Sequence, residues 1–383
     1  MDRILSYILV VLLSITVTMA VMLHVFAGQK KSQPKLEALE QVISEYFIGE
    51  VDQEYIEDAA ASAMVNALGD KWSYYIPAEH YQSYLERMNN AYVDVGITVG
   101  LAEDGRGVVI QQITAGGPAE EAGAQTGDII VKVDGTSVIG MALSDSKKLI
   151  QGEAGTTAKL NILRGEQEIV LTVTRREIKT PVVTSQLLQG KIGLITIANF
   201  NRNCAAETIG AIEAMQKQGA EKLIFDVRNN PGGYAEEMVK ILDYLLPEGK
   251  LFTTVDYAGK TNTAMSDANC LNLPMAVLIN DRSYSAAEFF AAALTEYGVA
   301  KTVGEKTVGK GYFQTTIQLP DGSAVGLSIG KYYTPKGKSL ADVGIVPAVP
   351  VALTEEEKTQ LLLGELEASV DPQILAAMDV LNG

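Results

Sequence analysis

From Lys179 onward the sequence alternates two kinds of apolar segment, and this alternation constrains the fold more than any other feature. KIGLITIANF, KLIFDVRNN and MAVLIND read as strands, the middle one buried. AAETIGAIEAMQKQG, YAEEMVKILDYLL and SAAEFFAAALTEYG lie between and after them and read as helices. Strand and helix in turn make an α/β core over residues 179–383, closed by a helical tail, DPQILAAMDVL.

The texture before Lys179 is different. Residues 92–178 carry short strands and glycine turns. GRGVVIQQI is a strand, Pro118 to Ala122 a short helix, and Asp134-Gly135 a turn. SDSKKLIQG is a helix capped by Ser144 or Asp145, and Arg164-Gly165-Glu166 turns a hairpin. Residues 29–91 read as helical, with Leu36, Leu39, Val42, Ile43 and Phe47 on one face and a stop at Gly69.

Residues 1–28 contain the run Ile4 to Ala27, with no formal charge. As a helix at about 1.5 Å per residue it spans roughly 36 Å, enough for a bilayer core of about 30 Å. The expectation is an uncleaved single-pass transmembrane anchor in the cell membrane, with the bulk of the chain extracytoplasmic. A cleaved signal peptide is the competing reading. The basic residues argue the other way, with only Arg3 before the segment and Lys30, Lys31 and Lys35 after it.

Composition excludes several classes. A net charge of −16 disfavours nucleic acid as a partner. Cys204 and Cys270 lack metal-type spacing. A disulfide between them is open in an oxidising compartment, and two ordinary thiols is the simpler reading. Beyond the first segment His80 is the only histidine, so a His-rich metal site is ruled out and a His-based hydrolase would have to use that one.

GEKTVGKG, Gly304 to Gly311, is one residue short of a phosphate-binding loop. The hydroxyl residue after the lysine is missing, and the next residues, YFQTTIQLPDGSAVGLSIG, alternate like a hairpin turning at Asp321-Gly322. A strand after Lys310 denies phosphate its helix N-terminus. Upstream, Ser285 ends the turn after the buried strand Met275 to Ile279, where a helix begins. It is either a plain N-cap or a group exposed beside N–H donors that stabilise negative charge.

SYSAAE, followed 25 residues past Ser285 by GKG with Lys310, and then by Gln314, resembles the carboxyl-terminal processing proteases. These are the tail-specific Ser/Lys endopeptidases of peptidase family S41. LGDKWSYYIPAEHYQSY is similar to the family's helical N-terminal segment. VGITVGL with GPAEEAGAQTGDIIVKVDGTSV is similar to its PDZ domain, LIFDVRNNPGGY to its glycine loop, and KYYTPKGKSLADVGIVPAVPV to its C-terminal part. The resemblance implies a mixed α/β fold: a ClpP/crotonase-like serine protease core, an inserted β-rich PDZ domain and a helical N-terminal segment, to which the run from Ile4 to Ala27 adds one transmembrane helix. It implies Ser285 as nucleophile, Lys310 as general base and Gln314 as the residue orienting the lysine. The N–H groups of Gly232 and Ala286 would form the oxyanion hole, with no metal or cofactor. It also implies protein or peptide substrates with accessible C-termini, and a homodimer. The chain departs from the family at Tyr284, usually Ala, at Ala287, usually Ser, at Val308, often Phe, and at Ala348, often Asp.

A lysine base requires a pKa about 3 units below its usual 10.4, roughly 4 kcal/mol of differential interaction. Burial supplies it by disfavouring the ammonium. Glu288 is expected to point away from Lys310, since a carboxylate against it would hold the charge. The PDZ-like segment would bind a peptide C-terminus as an added strand, its carboxylate in the nest around Val95, Gly96, Ile97 and Thr98. Gly96 at a mere β-bulge is the alternative there. For the whole chain the alternatives are a membrane-tethered PDZ scaffold with an inert core, and an NTPase.

Overall fold

The computed structural model describes residues 35–383. They form two compact units, one ending at Ala67 and one running from Leu68 to Gly383. The first holds helices α1 (Lys35–Tyr46) and α2 (Gln53–Asn66), and no residue of either helix is buried. Asp52 caps α2, its carboxylate accepting from the Tyr55 N–H at 3.0 Å.

The second unit opens with β1 (Tyr74–Ile76) and α3 (Ala78–Asn89). Strand β2 (Ala91–Asp94) leads into a β-rich domain of β3 (Ile97–Leu101), β4 (Val108–Ile113), α4 (Pro118–Glu121), β5 (Ile129–Val133), β6 (Thr136–Ser137), α5 (Leu143–Ile150), β7 (Thr157–Arg164) and β8 (Gln167–Thr174). Strand β9 (Arg176–Lys179) returns antiparallel to β2, Ala91 opposite Lys179, so this domain is inserted on a two-stranded stalk. Its sheet runs β3-β4-β5-β7-β8, with β6 on β5 and β3 at an edge. Val108, Ile110, Ile130, Leu160 and Ile162 fill its core. Helix α5 starts before Ser144, with Ala142 at the N-cap and no side-chain cap, so neither expected cap residue caps it.

The remaining chain runs β10 (Val183–Leu188), β11 (Ile192–Ile197), α6 (Cys204–Lys217), β12 (Lys222–Asp226), α7 (Ala235–Leu245), β13 (Gly249–Asp256), β14 (Thr261–Ser266), β15 (Met275–Ile279), α8 (Ala286–Glu296), β16 (Ala300–Gly304), β17 (Tyr312–Gln318), β18 (Ala324–Tyr333), β19 (Val349–Pro350), α9 (Glu355–Leu363) and α10 (Pro372–Asn382). One sheet has the order β10-β11-β12-β15-β16-β19 and is parallel from β11 on. Its central strands are buried on both faces, which explains their unbroken apolar runs. Leu223 and Phe225 of β12 join the core that includes Ile212 of α6, Ile241 of α7 and Phe290 of α8. Ile224 faces the other way, into the cluster with Ile374 and Ala377 of α10.

A second sheet is built from β1, β18, β13 and β14, with β17 also on β18. Tyr74 of β1 pairs with Gly326, where a Cβ would come within 2.3 Å of the tyrosine ring. Within the segment expected to be helical, residues 74–76 are therefore a strand. Its partner lies some 250 positions on, beyond the reach of local periodicity.

The expected single-pass transmembrane helix, and the cell-membrane placement built on it, are corrected here. Among the described residues no helix is long and apolar enough to cross a membrane. The longest of them, α2 and α6, have 14 residues, about 21 Å of helix against a bilayer core of about 30 Å. The run from Ile4 to Ala27 lies outside the described residues. Cys204 is buried and Cys270 exposed, and both are free thiols.

Candidate active site

Strand β15 is buried throughout, and the chain turns from it through Asn280–Tyr284 into α8. Two loops at the C-terminal ends of β12 and β15 are fastened here, as expected for a site on a parallel sheet. The amides of Asn229 and Asn280 are interlocked. Asn280 Oδ1 accepts from the Asn229 N–H at 2.9 Å, and Asn280 Nδ2 donates to Asn229 Oδ1 at 2.9 Å. Ser283 Oγ donates to the Val227 carbonyl at 2.7 Å. The Tyr284 N–H reaches the Asn230 carbonyl at 3.1 Å.

Ser285 stands at the N-cap of α8 with φ 59° and ψ −124°. A positive φ on a residue with a Cβ is strained and is held by its surroundings. Gly232 makes room for it: a Cβ there would lie 2.8 Å from Ser285 Cβ and 2.9 Å from the Ala286 nitrogen. Ala286 is the first residue of α8, and its N–H has no acceptor among the described residues. The Gly232 N–H is already donated to Asn230 Oδ1 at 2.8 Å. The neighbouring Gly233 bridges Phe200, through Phe200 N–H to Gly232 carbonyl at 2.7 Å and Tyr234 N–H to Phe200 carbonyl at 2.8 Å. In such a parallel bridge the N–H of Gly233 itself points away from Phe200, and Gly233 lines the cleft.

Glu288 ties the serine turn to the lysine loop. Its Oε2 accepts from the N–H groups of Ser285 at 3.0 Å and Lys310 at 2.8 Å. Its Oε1 accepts from the Gly309 N–H at 2.8 Å and Thr307 Oγ1 at 2.5 Å. Burial raises this carboxyl above the usual carboxylate range, and the four donors offset that only in part. The carboxylate thus does not point away from Lys310; it grips the lysine's backbone and makes no ion pair with its Nζ. A Glu three residues after an N-cap residue is the sequence signal for the first of these bonds, the reach-back of a capping box. The other three come from a loop about 20 residues away.

A strand, β17, begins two residues after Lys310, so the resemblance to a phosphate loop ends there. Lys310 and Ser285 line one cleft of about 1150 Å³, together with Gly232, Gly233, Tyr284 and Gln314. Burial lowers the Lys310 pKa to about 8, against the pull of the Asp70 and Glu288 charges. Its Nζ lies 4.9 Å from the centroid of the Trp72 ring and 5.7 Å from that of Tyr284. The two rings are themselves 5.9 Å apart. No hydrogen bond joins Nζ to Ser285 Oγ or to Gln314. Gln314 Nε2 instead donates to Ser328 Oγ at 3.0 Å. His80 is exposed beside Glu79 and does not line the cleft.

In the inserted domain Gly96 has φ 83° and immediately precedes the edge strand β3. Its N–H is donated to Asp94 Oδ1 at 2.8 Å, and its carbonyl accepts from Thr114 N–H at 3.0 Å. Ile97 and Thr98 follow in β3, paired with Ile113 and Gln112 of β4. The opposite edge of β3 is unpaired in the sheet.

A family model described as Peptidase family S41 matches residues 191–351, and one described as PDZ domain matches residues 93–174. The chain is 34% identical over 338 residues to the carboxy-terminal processing protease CtpA of Bacillus subtilis (strain 168), covering 88% of this chain and 72% of that one. It is 31% identical over 351 residues to a probable CtpA-like serine protease of Staphylococcus aureus (strain COL), covering 88% and 70%. Among solved structures it overlays on the photosystem II D1 C-terminal processing protease with a TM-score of 0.47 and 30% identity, over 84% of this chain and 87% of that one.

Proposed function

The chain belongs to peptidase family S41 and carries a PDZ domain, and from that premise we propose that Ser285, Lys310 and Gln314 carry out serine-type hydrolysis of peptide bonds in protein substrates, near or from their C-termini. The observation that carries the reading is the strained Ser285, held at positive φ on the N-terminus of α8, in the same cleft as a lysine whose burial lowers its pKa to about 8.

For the reaction, Lys310 Nζ turns from the Trp72 ring to within about 3 Å of Ser285 Oγ, a contact that often tightens only with substrate bound. The neutral amine takes the hydroxyl proton as Oγ attacks the scissile carbonyl. The oxyanion forms opposite the Ala286 N–H, at the dipole-favoured end of α8. Gly232 is the expected second donor, but its N–H is committed to Asn230. We assign that role to the neighbouring Gly233 N–H, which the bridge to Phe200 leaves unused at a residue lining the cleft. The lysine ammonium then protonates the leaving amine. Water attacks the acyl-enzyme with Lys310 again as base, and Ser285 is restored.

The edge of β3 suits an added substrate strand, with the terminal carboxylate near the Ile97 and Thr98 N–H groups. The Gly96 N–H contributes less, being held by Asp94.

The test is to incubate the purified full-length chain with an unstructured protein and sequence the products. The wild-type chain is expected to cut it, while Ser285→Ala and Lys310→Ala leave it whole. Equal cleavage by Ser285→Ala would refute the assignment.

A further inference from the structure

Gln314 is held by a residue that the sequence does not single out. In the β17–β18 hairpin it stands directly opposite Ser328. Its Nε2 donates to Ser328 Oγ at 3.0 Å and, more weakly, to the Tyr312 carbonyl at 3.4 Å. A carbonyl only accepts, so turning the amide over would set oxygen against oxygen. With the NH₂ end committed to these two acceptors, Oε1 is the end left for another donor.

Ser328 is itself held in place. Its N–H donates to Ser73 Oγ at 3.1 Å, and Ser73 Oγ donates to Asp70 Oδ2 at 2.6 Å. Asp70 Oδ1 accepts from the Trp72 N–H at 3.1 Å. Burial pushes the Asp70 carboxyl up, but hydrogen bonds from Ser73, Ser328 and the backbone outweigh it and hold its pKa below the usual carboxylate value. The carboxylate's oxygens are thus engaged by these donors, and it acts on Lys310 only as a charge at a distance.

We propose that Ser328, anchored by Ser73 and Asp70, is a positioning residue that fixes the Gln314 side-chain amide so that Oε1 is the end presented to Lys310. The chemistry explains why such a residue is required. A lysine offers N–H donors in both protonation states, and its ammonium is repelled by an amide NH₂. An amide free to flip would present the wrong end part of the time. A hydroxyl opposite it restricts that freedom, because Ser328 Oγ accepts from Nε2 and the Asp70 carboxylate, whose low pKa owes part to Ser328, draws the hydroxyl hydrogen away from the amide. This proposal rests on the roles assigned above to Lys310 and Gln314.

The test is a double-mutant cycle in the full-length chain, reading kcat and KM on an unstructured peptide. Ser328→Ala is expected to lower kcat about 3- to 10-fold, the worth of one hydrogen bond, with KM unchanged. In a Gln314→Ala background the same change is expected to cause no further loss. Ser328→Thr and Ser328→Val are a matched pair of β-branched strand residues that differ by the hydroxyl, so their comparison stands if the alanine variant folds poorly. Threonine is expected to retain kcat and valine to lose it. Additive losses from Ser328→Ala and Gln314→Ala, or equal kcat for threonine and valine, would overturn the proposal. If Gln314→Ala alone keeps the wild-type kcat while Lys310→Ala is inactive, the role of Gln314 fails and this proposal falls with it.

Discussion

Replacing Trp72 with leucine should move the acid limb of the pH–rate profile to lower pH. Burial disfavours the Lys310 ammonium and, against the pull of the Asp70 and Glu288 charges, leaves its pKa at about 8. The Trp72 ring acts in the opposite direction, since its face attracts a cation lying 4.9 Å from its centroid. Leucine keeps the site apolar but removes that face. A cation–ring contact of about 0.5 to 2 kcal/mol, at 1.36 kcal/mol per pKa unit, corresponds to a fall of about 0.4 to 1.5 units. The other charges near Nζ, Asp70 and Glu288, both favour the ammonium and are unchanged by the substitution. Lys71, whose Nζ is 4.8 Å from the same ring, would lose its contact too. The assay is kcat/KM for an unstructured peptide between about pH 6 and 10, where the limb reports the free enzyme's base. Below its pKa the lysine is charged and inactive as a base, so activity rises with pH through the limb. Trp72→Phe, which keeps a ring face, should leave the limb near its original position. An acid limb that stays put or moves up in Trp72→Leu would refute the reasoning, and would mean that the indole matters only by keeping water out.

Glu288→Gln should lower both activity and stability, because an amide NH₂ must then face at least one of the N–H groups that the carboxylate now accepts. The loss expected by urea denaturation is about 1 to 3 kcal/mol. Gly232→Ala should reduce kcat out of proportion to stability. The new Cβ at φ 89° would press on Ser285 Cβ and the Ala286 nitrogen, at a backbone strain of about 1 to 2 kcal/mol; kinetics and thermal unfolding of one preparation check both halves. Arg228→Leu should destabilise the core by about 3 to 5 kcal/mol. Arg228 lies between the buried carboxylates of Asp226, at 2.6 Å, and Asp371, at 2.8 Å, and both would be left without their cation; chemical denaturation measures it.

Much of the fold is legible in the sequence because it is locally encoded. The runs that form β11, β12, β15 and α6 to α8 show their burial and periodicity within ten or fifteen residues. The hairpin at Asp321-Gly322 is visible in its turn residues, and the strand it places after Lys310 is enough to remove the nucleotide reading. The strand-to-helix step at Ser285 is also local. Strand β1 is not, since its three residues carry no periodicity and its pairing with β18 bridges most of the chain. The hairpin β13–β14 and strand β10 escape sequence reasoning as well; β10 is mostly exposed and lacks the apolar signal.

Sequence by itself determined which groups could do chemistry here: a serine at a helix N-terminus, a lysine followed by a strand, and a single histidine, His80, beyond the first segment. Tertiary structure decided how those groups are held. It put the carboxylate of Glu288 on the lysine loop rather than away from it, committed the Gly232 N–H to Asn230, laid Lys310 on Trp72 and set Ser328 behind Gln314. The physical reason is that periodicity reports each residue's own backbone and burial. Hydrogen bonds between Ser73 and Ser328, or contacts between Trp72 and Lys310, exist only after loops of more than two hundred residues have closed, and no local spacing encodes which donor then meets which acceptor.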